Sequence, residues 1–212
     1  MADLAALRRE YTRHGLEERD CAPDPIAMFD RWFKEAQLAG VHEPNAMTLA
    51  TVGADGPNAR TVLLKSYDAD GFVFYTNYGS AKGTELAHDP RAALLFFWAE
   101  LERQVRVQGN VERMPHEASL AYFHQRPRGA QIGAWASQQS SPIDGRHVLE
   151  ARLAELEKEY EGREVPLPPY WGGYRLRHEI VELWQGRPNR LHDRIVYRRD
   201  ASHPWSLRRL SP

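Results

Sequence analysis

Arg60-Thr61-Val62-Leu63-Leu64-Lys65, followed after an Asp70-Gly71 turn by Phe72-Val73-Phe74-Tyr75-Thr76-Asn77, is the stretch on which the fold reading rests. Both segments are short and rich in β-branched and aromatic residues, and a turn dipeptide divides them. Working outward, Ala46 to Val52 reads as a strand that turns at Asp55-Gly56. Ala92 to Trp98 reads as a further strand, and Gln104 to Gln108 alternates like a strand with one wet face. Tyr174 to Trp184, Arg190 to Tyr197 and Trp205 to Leu210 close the chain with two or three more.

Helices are fewer. Asp24-Pro25 supplies an N-cap acid and a first-turn proline. Ile26, Phe29, Phe33 and Ala36 then recur at helical spacing, and Gly40 ends the helix. Gly79-Ser80 caps a short helix from Ala81 to His88, stopped by Pro90. Glu117 to Gln125, the stretch after Pro127, and Gly145 to Tyr160 follow. In the last, Leu149, Leu153, Leu156 and Tyr160 form an apolar stripe. Strands and helices do not alternate regularly, which excludes a doubly wound sheet. The expectation is a mainly β (α+β) chain: a barrel of antiparallel strands with flanking helices. Residues 1–23 read as a flexible N-terminal segment, and 24–212 as one domain with helical insertions.

Composition narrows the function. The 212 residues carry a net charge of −1, which argues against a coat for nucleic acid or an anionic membrane. No apolar run is long enough to span a bilayer, and residues 1–11 do not form a signal peptide. The single cysteine, Cys21, excludes an internal disulfide and fits a cytoplasmic location. No His/Cys/Asp/Glu cluster has metal spacing, and no dinucleotide-binding glycine motif follows a strand.

What stands out is a set of anion seats. Read as extended chain, Arg190, His192 and Arg194 alternate onto one face. Two guanidiniums flanking an imidazole suit an anion pocket with a titratable centre; the alternative is an arginine-rich edge strand. Lys82 falls in the first turn of a capped helix, where amides and the helix dipole favour phosphate, or it is an ordinary exposed lysine. Arg60 and Lys65 sit at the two ends of one strand and project to opposite faces unless the strand bulges; they contact two anions or simply sit in water. Tyr122 and Arg126 are four apart on a helix, a phenol and a guanidinium that suit a phosphate ester or merely decorate a helix end. Gln131 to Ser141 is dense in amides and hydroxyls. Together these point to a phosphorylated substrate, a phosphorylated cofactor, or both.

Several of these pieces resemble the pyridoxine/pyridoxamine 5′-phosphate oxidase family across nearly the whole length. They are Arg60 to Lys65, Phe74 to Asn77 with Gly79, Ser80 and Lys82, and Glu102 to Val105. To these add Tyr122 to Pro127, Gln131 to Trp135, Ser137 with Gln139 to Ser141, and Trp171 to Gly173. Val165-Pro166, Trp184 to Gly186, Asn189 to Arg194 and the ending Arg209 to Pro212 complete the set. The resemblance implies an FMN-binding split β-barrel working as a homodimer, with FMN at the subunit interface. It implies oxidation of pyridoxine or pyridoxamine 5′-phosphate to pyridoxal 5′-phosphate, with electrons passing through FMN to O2 to give hydrogen peroxide.

By position, the resemblance assigns FMN contacts to Arg60, Thr61, Val62, Leu63, Leu64 and Lys65. Tyr75, Thr76, Lys82, Gln104, Gln139, Ser140, Trp184 and Arg194 join them. Lys65, Tyr122 and Arg126 would take the substrate phosphate. Arg190 and His192 would face the reacting ring, with His192 handling a proton. Arg8 and Tyr11 would form an N-terminal lid. Two positions depart from the family pattern: Ala81 where arginine is frequent, and Ala130 where serine is usual. Competing expectations are a module that binds FMN or pyridoxal phosphate without turnover, and a flavoenzyme acting on another bulky ring.

Overall fold

The computed structural model describes residues 10–13, 15–199 and 205–212. Among these residues, five α-helices flank nine strands that are all antiparallel. In chain order these are α1 (Pro25–Leu38), β1 (Ala46–Gly53), β2 (Gly56–Leu63), β3 (Ser66–Asp68), β4 (Gly71–Asn77), α2 (Ala81–His88) and β5 (Arg91–Trp98). Next come β6 (Arg103–Arg113), α3 (His116–Gln125), α4 (Arg128–Ala136) and α5 (Arg146–Glu159). The chain ends with β7 (Trp171–Gln185), β8 (Asp193–Arg198) and β9 (Ser206–Leu210).

The strand order is β2-β1-β5-β6-β7-β4-β3, with β8 on β7 and β9 on β8. Two features turn this sheet into a barrel. First, β2 pairs with β1 while β3, two residues further on, pairs with β4 at the other end of the path. The joint Leu64–Lys65 therefore crosses between the sheet's two ends, tied by Leu64 N–H to Asn45 O (2.8 Å) and Lys65 N–H to Val73 O (2.9 Å). Lys65 thus lies outside the strand over Arg60–Lys65 that the sequence suggests. Second, the β6–β7 register shifts at Gln108/Gly109. A Cβ on Gly109 would stand 1.9 Å from Arg177 O, so only glycine lets the two strands bend together there.

Strand β7 is the backbone of the arrangement. Its first half pairs with β4 and its second half with β8, while β6 runs along the other side of both. The main core fills the barrel with Phe72, Phe74, Phe96 and Trp98, capped by Met28, Phe29, Trp32 and Ala36 of α1. The buried stripe of α1 is rotated from the expected one, with Ile26 and Phe33 at its flank. Asp24 caps α1 as expected, accepting from Ile26 N–H at 2.9 Å. A second cluster (Phe123, Ile132, Leu156, Val165 and Trp171) joins α3, α4 and α5 to the start of β7.

Residues 15–23, expected to be loosely held, stay mostly exposed but are anchored at Leu16 and Glu18. Leu16 is 3% exposed, its N–H donates to Asp193 (3.0 Å), and Arg209 pairs with Glu18 (2.8 Å). Burial of one leucine and a charge pair to the last strand outweigh the polar composition that suggested a free tail. The strand expected over Arg190–Tyr197 begins only at Asp193. No described helix is long and apolar enough to cross a membrane.

Candidate functional site

A cavity of ≈ 550 Å³ opens between the β2/β4 end of the barrel and helices α3 and α4. Thr61, Val62 and Leu63 form one wall, with Lys65 at the joint beside them. Tyr75 and Thr76 line it from β4, Lys82 from α2, and Gln139 from the loop after α4. Tyr122 and Arg126 line it from α3 and its end. Among the described residues, three cations face this space and no carboxylate does.

Lys82 is the most constrained of the three, at 8% exposed. Ser80, the N-cap of α2, turns the helix so that this second residue points inward. The ammonium reaches Gln139 Oε1 (3.0 Å), Ser80 Oγ (3.1 Å) and Thr76 Oγ1 (3.3 Å). All three partners are neutral, so the charge is solvated but not neutralised. Burial, with the Arg60 charge nearby, holds its pKa below the usual lysine range.

Arg126 sits on an aromatic slab. Tyr75 and Tyr122 stack with ring centroids 3.9 Å apart, and Trp171 lies 5.5 Å from Tyr75. The guanidinium lies 4.6 Å from the Trp171 ring centre, and its buried Nη1 has no hydrogen-bond partner. Desolvation pulls its pKa down. A buried donor without an acceptor is costly unless something else supplies one, and an anion in the cavity would. Trp171 is a platform that sequence reasoning missed as a site residue; its place ahead of Gly172-Gly173 was the available signal.

Other expected contacts lie elsewhere. Leu64 points into the core at 5% exposed, because alternation turns it away from Leu63 and Lys65. Arg60 does not line the cavity: its guanidinium pairs with Glu85 (2.9 Å) and bonds Thr51. Ser140 lines a neighbouring cavity of ≈ 560 Å³ that shares Gln139 with the first. Its Oγ accepts from Ala81 N–H at 3.1 Å.

The remaining candidates gather at the far end of β7. Gln104, Trp184 and Arg194 are cross-strand partners on β6, β7 and β8, so they share one face. Arg194 Nε donates to Glu182 (2.8 Å) and Nη1 to Ser211 O (3.0 Å). His192 lies against Trp184, ring centroids 4.6 Å apart. The expected alternation of Arg190, His192 and Arg194 on one strand face is corrected here. Pro188–Arg190 form a 3₁₀ turn in which Asn189 (φ 56°) and Arg190 (φ 61°) are left-handed. Each such residue costs about 1–2 kcal/mol, a strain typical of functional segments. The turn is closed by Leu191 N–H to Pro188 O (3.1 Å) and by Arg187 N–H to His192 Nδ1 (3.1 Å). With Nδ1 accepting, the neutral imidazole carries its proton on Nε2. Partial burial and then Arg190 push the His192 pKa down, so this neutral form prevails at pH 7.

Tyr11 covers that cluster. It meets Trp184 and His192 edge-on, both at 5.7 Å. A Cβ on Gly186 would stand 2.7 Å from Tyr11 Cγ, so the glycine makes room for the ring. Arg8, the other lid candidate, lies outside the described residues. Among the described residues no group of three or more His, Cys, Asp or Glu could hold a metal.

Comparison with known proteins bears on this arrangement. Residues 33–160 match the family model described as pyridoxamine 5′-phosphate oxidase. Residues 171–212 match that of the pyridoxine 5′-phosphate oxidase C-terminal dimerisation region. A pyridoxine/pyridoxamine 5′-phosphate oxidase of Rubrobacter xylanophilus is 62% identical over 99% of this chain and 97% of its own. One of Burkholderia multivorans is 59% identical over the full length of both. Among solved structures, PhzG of Burkholderia lata, in complex with tetrahydrophenazine-1-carboxylic acid, superposes with a TM-score of 0.88. It is 32% identical and covers 95% of this chain and 99% of its own. A pyridoxamine 5′-phosphate oxidase-related protein of Nostoc punctiforme shares the fold at 18% identity (TM-score 0.71, 91% of this chain and 100% of that one).

Proposed function

The chain belongs to the pyridoxine/pyridoxamine 5′-phosphate oxidase family, and on that premise we propose that it is an FMN-dependent oxidase of vitamin B6 phosphates. It converts pyridoxine or pyridoxamine 5′-phosphate to pyridoxal 5′-phosphate, with O2 as acceptor and hydrogen peroxide as product; the amine also consumes water and releases ammonia. One observation carries the reading: Lys65, Lys82 and Arg126 converge on one cavity without a carboxylate. Such a site favours a ligand, or a pair of ligands, bearing phosphate.

The residues fit FMN. The buried Lys82 ammonium with only neutral partners suits the cofactor phosphate, and Thr61 to Leu63 give a backbone edge for a flat ring. Bound FMN would supply the two-electron chemistry between substrate and O2. The protein's own part is orientation and charge. Lys65, Tyr122 and Arg126 hold the substrate phosphate, and the orphaned Arg126 Nη1 gains its acceptor. Arg190 holds the ring end of the substrate, and its charge would favour the negative charge that bound FMN takes up. His192, neutral with Nε2–H, holds or passes a proton at that atom.

This reading requires a homodimer with FMN at the interface. Trp171 and Trp184 sit near opposite ends of the 15-residue β7, a span on the order of 40 Å along the strand. In this reading a second copy brings its Arg190 and His192 to the first copy's cavity, consistent with the match of residues 171–212 to a dimerisation region.

A second reading is an oxidase of a larger ring. The small-residue wall of Ala130, Gly133 and Ala134, and the likeness to PhzG, favour it. The test is to record the visible spectrum of the purified protein, then add pyridoxine 5′-phosphate in air. Peroxide and pyridoxal phosphate rising together support the oxidase. Flavin colour without product favours the larger-ring or non-catalytic reading. A colourless protein that FMN cannot reconstitute overturns the proposal.

A further inference from the structure

We infer that Glu85 is the positioning residue of the cofactor-phosphate seat, holding the Arg60 guanidinium ready beside the Lys82 ammonium. The inference rests on the reading above that FMN phosphate is taken at Lys82. Lys82 and Glu85 are three apart on α2 and share a face of that helix. The Glu85 carboxylate accepts from Thr51 Oγ1 (2.5 Å), Asn58 Nδ2 (2.8 Å) and Arg60 Nη2 (2.9 Å). One acid thereby ties β1 and β2 to the helix that carries the buried lysine.

The guanidinium is fixed from both sides. Its Nη2 meets Glu85, and its Nη1 meets Thr51, itself 2% exposed. Its Nε–H has no hydrogen-bond partner among the described residues. Two cations on adjacent elements repel, and an untied arginine would swing into water. The cost of ordering it would then fall on binding. Glu85 meets that cost in advance. Ala81, at the first position of α2, brings only a methyl group, so Arg60 is the guanidinium this seat can recruit.

Glu85 also carries a negative charge, which by itself would weaken phosphate binding. The two effects have opposite signs and can be separated. Full-length protein stripped of flavin is titrated with FMN and with riboflavin, following the quenching of flavin fluorescence. Riboflavin lacks the phosphate and reports ring binding alone. In Glu85→Ala, FMN affinity is expected to fall about tenfold or more, with riboflavin unchanged. Glu85→Gln keeps the shape and an acceptor for Arg60, and should stay within roughly threefold of the parent. Thr51→Val removes one anchor at constant volume and should lose about three- to fivefold for FMN only.

Tighter or unchanged FMN binding in Glu85→Ala would overturn the inference, as would an equal loss of FMN and riboflavin. If Glu85→Ala does not fold, an unchanged FMN affinity in Thr51→Val overturns it instead. An unmutated protein that binds FMN no better than riboflavin would overturn the phosphate seat itself, a failure visible without any variant.

Discussion

Trp171 and Trp184 lie near opposite ends of one strand, the first under the Arg126 guanidinium and the second against His192. If the working site joins the cavity of one copy to the His192 cluster of another, two inactive variants should rescue each other. Lys82→Ala damages the first half and Arg190→Ala the second. Mixed and reassociated, half the dimers are hybrids, each with one intact site. About a quarter of parental activity should return. Activity that stays at the level of the single variants would show that each chain builds its site alone.

The lid over His192 depends on a glycine. Tyr11 rests edge-on against Trp184 and His192, directly above Gly186. Edge-to-face contacts contribute about 0.5–1.5 kcal/mol each, so losing both in Tyr11→Ala should lower kcat/KM by roughly five- to 150-fold. Gly186→Ala should reproduce the loss by displacing the ring, while Tyr11→Phe should stay near the parent. Steady-state kinetics on the three variants would decide this.

Arg126 should discriminate by phosphate. Its Nη1 is buried without a partner, which an arriving phosphate would correct. Arg126→Ala should cost about 2–3 kcal/mol in kcat/KM for pyridoxine 5′-phosphate, and far less for unphosphorylated pyridoxine. Ala130 lines the same cavity. Ala130→Ser would add one donor and should lower KM for the phosphate ester by up to about tenfold. Comparing the two substrates side by side reads both effects.

Acid should weaken the fold through His178. It is 2% exposed between Phe72 and Trp205, and its Nδ1 has no partner. Burial, then the Arg199 charge, pushes its pKa down to about 4 from 6.5. The unfolded chain therefore binds the proton more readily, and stability falls as pH drops from 6.5 toward 4. The fully developed loss is on the order of 3 kcal/mol. Urea unfolding at pH 7.5 and pH 5 should show the decline, and His178→Gln should remove most of it.

Much of this was open to reading in the chain itself. Helix α2 ends where Gly79-Ser80 and Pro90 put its boundaries, because caps and prolines act over a few residues. Asp24-Pro25 starts α1 for the same reason. The cationic character of Lys65, Lys82 and Arg126 and the family resemblance were likewise carried by short local patterns.

Tertiary structure decided the rest, because it joins residues that are remote in sequence. Arg60 looked like a ligand contact on sequence, but that its guanidinium is held by Glu85, 25 residues away, could not be read there. The run Arg190 to Arg194 looked like a strand, yet the turn from Pro188 and the His192 imidazole override its alternation. Leu16 sits in a polar segment but finds a buried place against the last strands. Above all, the candidate residues read as one list and fold as two clusters. Sequence spells out which side chains are available, since their chemistry is intrinsic. Only the path of β7, paired along its length and shifted in register opposite Gly109 of β6, sets which of them can meet.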